Sequence, residues 1–264
     1  MKTNLLIIDP QNDFCDRKGS LYVSGAVNDI ERITSFIKNK GNALNDIFVS
    51  LDTHNVIDIA HPSYWKDKNG KSPSPYTVIT LSDIENGIWS PVNSLNDGWV
   101  RFYTKTLSEK GRYNLCIWPE HCLIGSWGAN VHPMLQEELN EWQRKTGKTV
   151  IYIQKGFDQD TEQYSVFESE IAIESFDKSV NFGVIEDTLD CDKLFITGEA
   201  RTHCVLNSVR SIAENAEDRI NKLVILDDTM SNVAIPTAVD FADSYFAGLV
   251  SKGATITTTD KIIL

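Results

Sequence analysis

No stretch of this sequence approaches the ~20 consecutive apolar residues of a membrane-spanning helix, so no span is expected. A charged-then-apolar leader is also missing. Met1-Lys-Thr-Asn runs straight into Leu5-Leu-Ile-Ile-Asp9, too short for a secretory signal. Cysteine is scarce: five residues, Cys15, Cys116, Cys122, Cys191 and Cys204, odd in number and scattered. Without a leader they read as reduced thiols of a cytosolic protein, not as a disulfide framework. There is no basic block, and the formal charge is −12, which argues against a nucleic-acid or anionic-membrane partner and leaves a small-molecule substrate open. Internal repeats, low-complexity tracts and domain boundaries are lacking too. The 264 residues, 41% hydrophobic, therefore read as one domain with a sizeable core.

What is present alternates between strand and helix. Strands are expected at Asn4–Asp9, Asp46–Leu51, Thr149–Gln154, Lys193–Thr197, Lys222–Leu226 and Ala254–Thr258. Between them, Val27–Lys38, Val131–Trp142, Cys204–Ala216 and Thr237–Leu249 carry helical spacing. In the first of these, Val27, Ile30, Ile33, Phe36 and Ile37 share a face; in the second, Met134, Leu135, Leu139 and Trp142 do. Such alternation implies parallel βαβ units, and about six strands fit a doubly wound three-layer α/β/α sandwich with a mostly parallel sheet. One segment, 55–117, breaks the pattern. It is rich in Pro, Ser, Asn, Gly and Trp with little periodicity, and reads as a long irregular insert, a lid or an oligomer contact.

Ligands of open α/β sheets bind beyond the carboxyl ends of the strands, and four chemically capable positions lie there. Asp9 ends the first strand, where partial desolvation makes a carboxylate a useful proton acceptor. Asp52 and His54 follow the second strand, and their alternate spacing points both side chains the same way, as a divalent-ion site needs. A third ligand would come from His61, His121 or His132. Lys155 ends the third strand and, in a cleft, would hold a thiolate or carboxylate in its charged form. Cys204 follows a strand, a Gly198 break and the start of a helix, whose dipole and free N–H groups are expected to lower the thiol's pKa. Together these supply a nucleophile, a base and a charge stabiliser, and the Gly198–Cys204 turn can aim N–H groups at an oxyanion.

The segments Leu5-Leu-Ile-Ile-Asp-Pro-Gln-Asn-Asp-Phe14, Ser50-Leu-Asp-Thr-His54, Ile117-Trp-Pro-Glu-His-Cys122 with Gly125-Ser-Trp-Gly128, Lys155-Gly-Phe157 with Tyr164-Ser-Val-Phe167, and Gly198 through Val205 occur in one order along nearly the whole chain. In this combination the chain resembles the isochorismatase-like cysteine hydrolases, and among them the nicotinamidases. The resemblance implies hydrolysis of a small amide, nicotinamide to nicotinate and ammonia, through a thioester, as in pyridine-nucleotide (NAD) salvage. It implies a triad of Asp9, Lys155 and Cys204, an oxyanion hole from the N–H groups of Ala200 and Cys204, and a cis peptide before Ala200. It implies a divalent metal, zinc first with manganese, iron or magnesium as alternatives, on Asp52, His54 and His121, so that His121 becomes the third ligand. Phe14, Trp118 and Tyr164 would sandwich the substrate ring. His61 falls to a supporting or pocket role, and His132 and His203 to structural or surface ones. Dimers or higher homo-oligomers are implied as well.

The chain departs from the family at Glu199-Ala-Arg-Thr-His203, where Glu199 and Arg201 are unusual. An arginine near the pocket would pair with a substrate carboxylate or merely with Glu199. A second reading is therefore another C–N hydrolase of the superfamily, acting on a carbamoyl or carboxylated amide. A third is a catalytically silent binding or assembly relative, for which the joint presence of triad, ligands and aromatics would have no chemical need.

Overall fold

Leu5 and Ile7 face one side of the first strand and Leu6 and Ile8 the other, and all four are fully buried. The same alternation runs through the neighbouring strands: Phe48, Leu194, Ile196 and Ile225 join one hydrophobic cluster, while Ile47, Val49, Phe195, Val224 and Leu226 join a second. Both faces of the sheet are therefore covered, as parallel strands require. Burying one Leu or Ile contributes about 1.5–3 kcal/mol, and a one-residue slip would turn each such side chain to the wrong face, so the register is firmly set.

The computed structural model describes residues 1–110, 113–171 and 180–264. Its central sheet has six parallel strands: β1 (Thr3–Ile8), β2 (Asp46–Asp52), β3 (Ile151–Lys155), β4 (Lys193–Gly198), β5 (Leu223–Leu226) and β6 (Thr255–Thr257). Their spatial order is 3-2-1-4-5-6. The order reverses between β1 and β4, and the crevice beyond their carboxyl ends is where such sheets bind ligands.

Helix α1 (Ala26–Lys40) packs beside α2 (Pro133–Thr146) on one face. Ile30, Ile33, Phe36 and Ile37 of α1 and Leu135, Leu139 and Trp142 of α2 form the buried stripes. Pro133 starts α2, where its missing N–H costs nothing, and Gly147 ends it in the left-handed conformation at φ 69°. Helices α3 (Phe182–Leu189), α4 (Leu206–Asn215) and α5 (Pro236–Ser251) supply Ile185, Leu189, Val209, Ile212 and Phe246 to the cluster on the opposite face. Among the described residues, no helix is long and apolar enough to cross a membrane.

The insert is more ordered than its composition suggests, although residues 111–112 lie outside the described ones. It contains a helix over Asp97–Lys110, whose Val100, Tyr103, Thr104 and Leu107 are buried. A short helix, Leu81–Glu85, opens with a reciprocal capping box between Thr80 and Asp83. Trp65–Lys66 pairs with Ser90–Pro91, and Val78–Ile79 with Leu115–Cys116, both antiparallel. These pieces bury a hydrophobic cluster of their own around Trp65, Tyr103 and Leu107.

Candidate active site

β1, β3 and β4 deliver three charged or nucleophilic groups to one buried point. Asp9, the residue after β1, turns into the left-handed region at φ 46°. Its N–H donates to Ser50 Oγ at 3.0 Å, and that hydroxyl donates back to Asp9 Oδ1 at 2.5 Å. Oδ2 is left with an ion-pair contact, 3.0 Å from Lys155 Nζ, and no directed hydrogen bond among the described residues. The Lys155 ammonium also lies 2.9 Å from Asp52 Oδ1, donates to the Gln163 carbonyl at 3.0 Å and sits 3.7 Å from Cys204 Sγ. The Asp9 carboxylate is close enough to the Cys204 thiol to disfavour its ionisation.

Lysine at a strand end is ordinarily solvated, yet Lys155 is only 2% exposed. Burial opposes its charge, but Asp52 and Asp9 outweigh that and hold its pKa well above the usual value. Burial raises the pKa of Asp9, with Lys155 opposing, which makes Asp9 a stronger proton acceptor than a solvated aspartate. The sequence expectation for Cys204 is corrected here: burial pushes its thiol well up, and Lys155 only offsets part of that. The regular α4 begins at Leu206, and Cys204 stands in a wide π-turn, Arg201–Val205, not in the first turn of an α-helix. A thiolate therefore needs a proton acceptor at hand, and the carboxylate that acts on this thiol together with the Lys155 ammonium is that of Asp9.

The backbone before Cys204 is closely constrained. The peptide between Glu199 and Ala200 is cis. Gly198 has φ +117°, and a Cβ there would sit 2.1 Å from the Ile8 carbonyl oxygen, so no other residue lets β4 approach β1 so closely. Gly156 plays the same part after Lys155, where a Cβ would meet Asp52 Oδ1 at 2.7 Å.

Beside Asp9, Lys155 and Cys204, the side chains of Asp52, His54 and His121 bring one ligand atom each to within 4.8 Å of one another, all buried. His54 Nδ1 is held by Asp58 Oδ2 at 2.9 Å, which turns Nε2 toward Asp52 Oδ2, 3.0 Å away, with no hydrogen bond of its own among the described residues. His121 Nδ1 lies 2.8 Å from the Pro119 carbonyl, leaving its Nε2 toward Asp52 as well, at 3.5 Å. Two imidazole nitrogens and a carboxylate, with an orphaned buried Nε2 among them, fit a divalent ion such as zinc. Burial disfavours charge on His54, but Asp52 and Asp58 override it and push its pKa well up. His61 lies next to this group, its Nε2 3.2 Å from His121 Nδ1, and burial holds it neutral with a pKa of about 4. His132 caps α2 elsewhere.

A cavity of about 40 Å³ joins the two centres, lined by Phe14, Trp118, Tyr164, Asp52, His121, Ala200 and Cys204. Trp118 Nε1 donates to the Tyr164 hydroxyl at 3.2 Å, and the Phe14 ring meets His121 edge-on at 5.4 Å between centroids. Two further titratable residues line the cavity that the sequence reading did not place there. Glu162 is buried with one carboxyl oxygen unpartnered, and burial raises its pKa to about 8. His203, read as structural or surface, is buried against Trp118 and Tyr164 and kept neutral by burial with a pKa of about 4. Arg201 lies outside: its guanidinium pairs with Asp227 at 2.9 Å and Asp243 at 2.7 Å and covers the Phe246 ring.

No protein-family model matches the chain. It is 27% identical over 214 residues to a protein named nicotinamidase from Saccharomyces cerevisiae, covering 81% of this chain and 82% of that one. The solved structure of the yeast nicotinamidase Pnc1p superposes with a TM-score of 0.65 at 21% identity, covering 97% of this chain and 99% of the other. The pyrazinamidase of Pyrococcus horikoshii, solved in complex with zinc, superposes with a TM-score of 0.57 at 16% identity, covering 98% and 99%. The fold is thus that of these amidases, and the sequence resembles one of them.

Proposed function

We propose that this chain, similar to nicotinamidases in sequence and sharing their isochorismatase-like fold, is an amidohydrolase that converts nicotinamide to nicotinate and ammonia. The observation that carries the reading is the convergence of Asp9, Lys155 and Cys204 on a small cavity edged by Asp52, His54 and His121. A binding-only relative would have no use for a buried lysine held between two acids and a thiol.

These positions support the following chemistry. Asp9 Oδ2 takes the proton of the Cys204 thiol, and the Lys155 ammonium stabilises the charges so formed. Sulfur bonds to the amide carbon while the carbonyl electron pair moves to oxygen, where the N–H groups of Ala200 and Cys204 receive it. Asp9 returns its proton to the amide nitrogen, the C–N bond breaks, and ammonia leaves a thioester on Cys204. Water then gives a proton to Asp9 and attacks the thioester; the C–S bond breaks, nicotinate departs, and the thiol regains its proton. Phe14, Trp118 and Tyr164 hold the ring flat. Asp52, His54 and His121 would hold a divalent ion, zinc by the donor set, which would supply a Lewis acid toward the ring nitrogen of the substrate.

The alternative, recognition of a carboxylated amide by Arg201, loses its support because that guanidinium is already paired twice, away from the cavity. The test is an ammonia-release screen over small amides with and without chelator. Release from nicotinamide that Cys204→Ala abolishes is the expected result, and turnover by the alanine variant would refute it.

A further inference from the structure

Glu199 and Arg201, the departures in the turn before Cys204, brace that turn from opposite sides. Arg201 is tied outward to Asp227 and Asp243. Glu199 turns inward, is only 1% exposed, and meets Asp29 of α1 side chain to side chain. Ser231 joins the two acids: its N–H donates to Glu199 Oε2 at 3.2 Å and its hydroxyl donates to Asp29 Oδ2. The carbonyl of Ser231 accepts the Arg201 N–H at 2.9 Å, closing the ring of contacts onto the turn. Gly25 lets Ser231 come this close to α1, since a Cβ there would meet Ser231 Oγ at 2.3 Å.

Glu199 Oε1 is buried and receives no hydrogen bond from any donor among the described residues. Two carboxyl groups in contact disfavour ionisation of both, and a buried carboxyl that has neither a cation beside it nor a donor on one oxygen is the one that takes the shared proton. The proton therefore belongs on Glu199, donated to Asp29, whose Oδ1 is partnered by Arg32 Nη1 at 3.2 Å. The other titratable groups acting on the pair are Asp228, which acts on Asp29, and the Cys15 thiol, which interacts with both acids. Burial, then Asp29, raises the pKa of Glu199 well above the usual range.

We propose that Glu199 and Asp29 share one proton and, through Ser231, hold the Glu199–Ala200 turn so that the Ala200 N–H faces the carbonyl attacked by Cys204. Glu199 is then a positioning residue for the proposed hydrolysis, on which this inference rests. Glutamine can reproduce the protonated acid, donating to Asp29 and accepting from Ser231, whereas leucine can do neither.

The experiment measures kcat and KM for nicotinamide in the wild type, Glu199→Gln and Glu199→Leu across neutral to alkaline pH, with the infrared carboxyl band of each. A misplaced oxyanion donor costs roughly 10²-fold in rate, so Glu199→Leu is expected to lose about that in kcat at near-constant KM. Glu199→Gln is expected to keep most of kcat and to lose the alkaline decline in rate. Beside the band of the buried Glu162 carboxyl, common to all three proteins, the wild type is expected to show a second protonated-carboxyl component at neutral pH that both variants lack. A wild type without ammonia release removes the functional reading and leaves that second component to decide the shared proton. Its absence, or Glu199→Leu turning over like the wild type, overturns the proposal.

Discussion

Asp58 Oδ2 lies 2.9 Å from Nδ1 of His54, both side chains fully buried, and so fixes which imidazole nitrogen faces Asp52. The second oxygen of Asp58 accepts the Ala60 N–H at 2.9 Å, which locks the carboxylate in place. Partners of this kind orient a ligating histidine and raise its basicity. Asp58→Ala is therefore expected to weaken zinc binding by about 10–100-fold, read by chelator competition on protein whose circular dichroism is unchanged. Zinc affinity equal to that of the wild type would rule out this role.

Lys155 separates Asp9 from Asp52, 3.0 and 2.9 Å from their nearest oxygens. Replacing it with methionine leaves two buried carboxylates facing each other without a cation. Removing one partner of a buried ion pair typically costs about 3–5 kcal/mol, and a loss of that order is expected in urea unfolding near neutral pH. The gap between variant and wild type is expected to narrow as pH falls, because protonating either acid relieves the repulsion. Equal unfolding midpoints at neutral pH would contradict the network drawn here.

The raised pKa of Glu199 has a signed consequence for stability. Its folded state holds the proton more tightly than the unfolded chain does, because burial and then Asp29 disfavour the charge. The contribution is therefore complete below the ordinary carboxyl range and is lost as pH rises through the folded value. Glu199→Gln cannot titrate. The stability of the wild type relative to this variant is expected to fall as pH rises, measured by urea unfolding over a pH series. Parallel curves would show that Glu199 is ionised in the folded state throughout.

The strand ends that carry Asp9, Asp52, Lys155 and Cys204 were legible because each follows a short apolar run, and a parallel sheet puts all such ends on one side. The burial of Lys155 was not legible in its own segment. It depends on register, Asp52 lying directly opposite Lys155 on the neighbouring strand. The π-turn was hidden because Val205, Leu206, Val209 and Ile212 have the spacing of an ordinary helix. The insert helix was present as Val100, Tyr103 and Leu107, but Gly98 and the run of threonines and serines blurred it. Asp58 had a faint signal, an acid four residues after His54. Glu162 had none, since its place in the cavity comes from a loop brought back by Tyr103, whose hydroxyl accepts the Glu162 N–H at 2.9 Å. Nor did the local sequence tie Glu199 to Asp29, far earlier in the chain.

Covalent catalysis by the Cys204 sulfur is the step on which the functional account turns, and acid-quenched mass spectrometry reads it directly. Wild-type protein stopped during turnover of nicotinamide is expected to carry a nicotinoyl group on the peptide containing Cys204. Steady ammonia release with that peptide never modified would contradict the account.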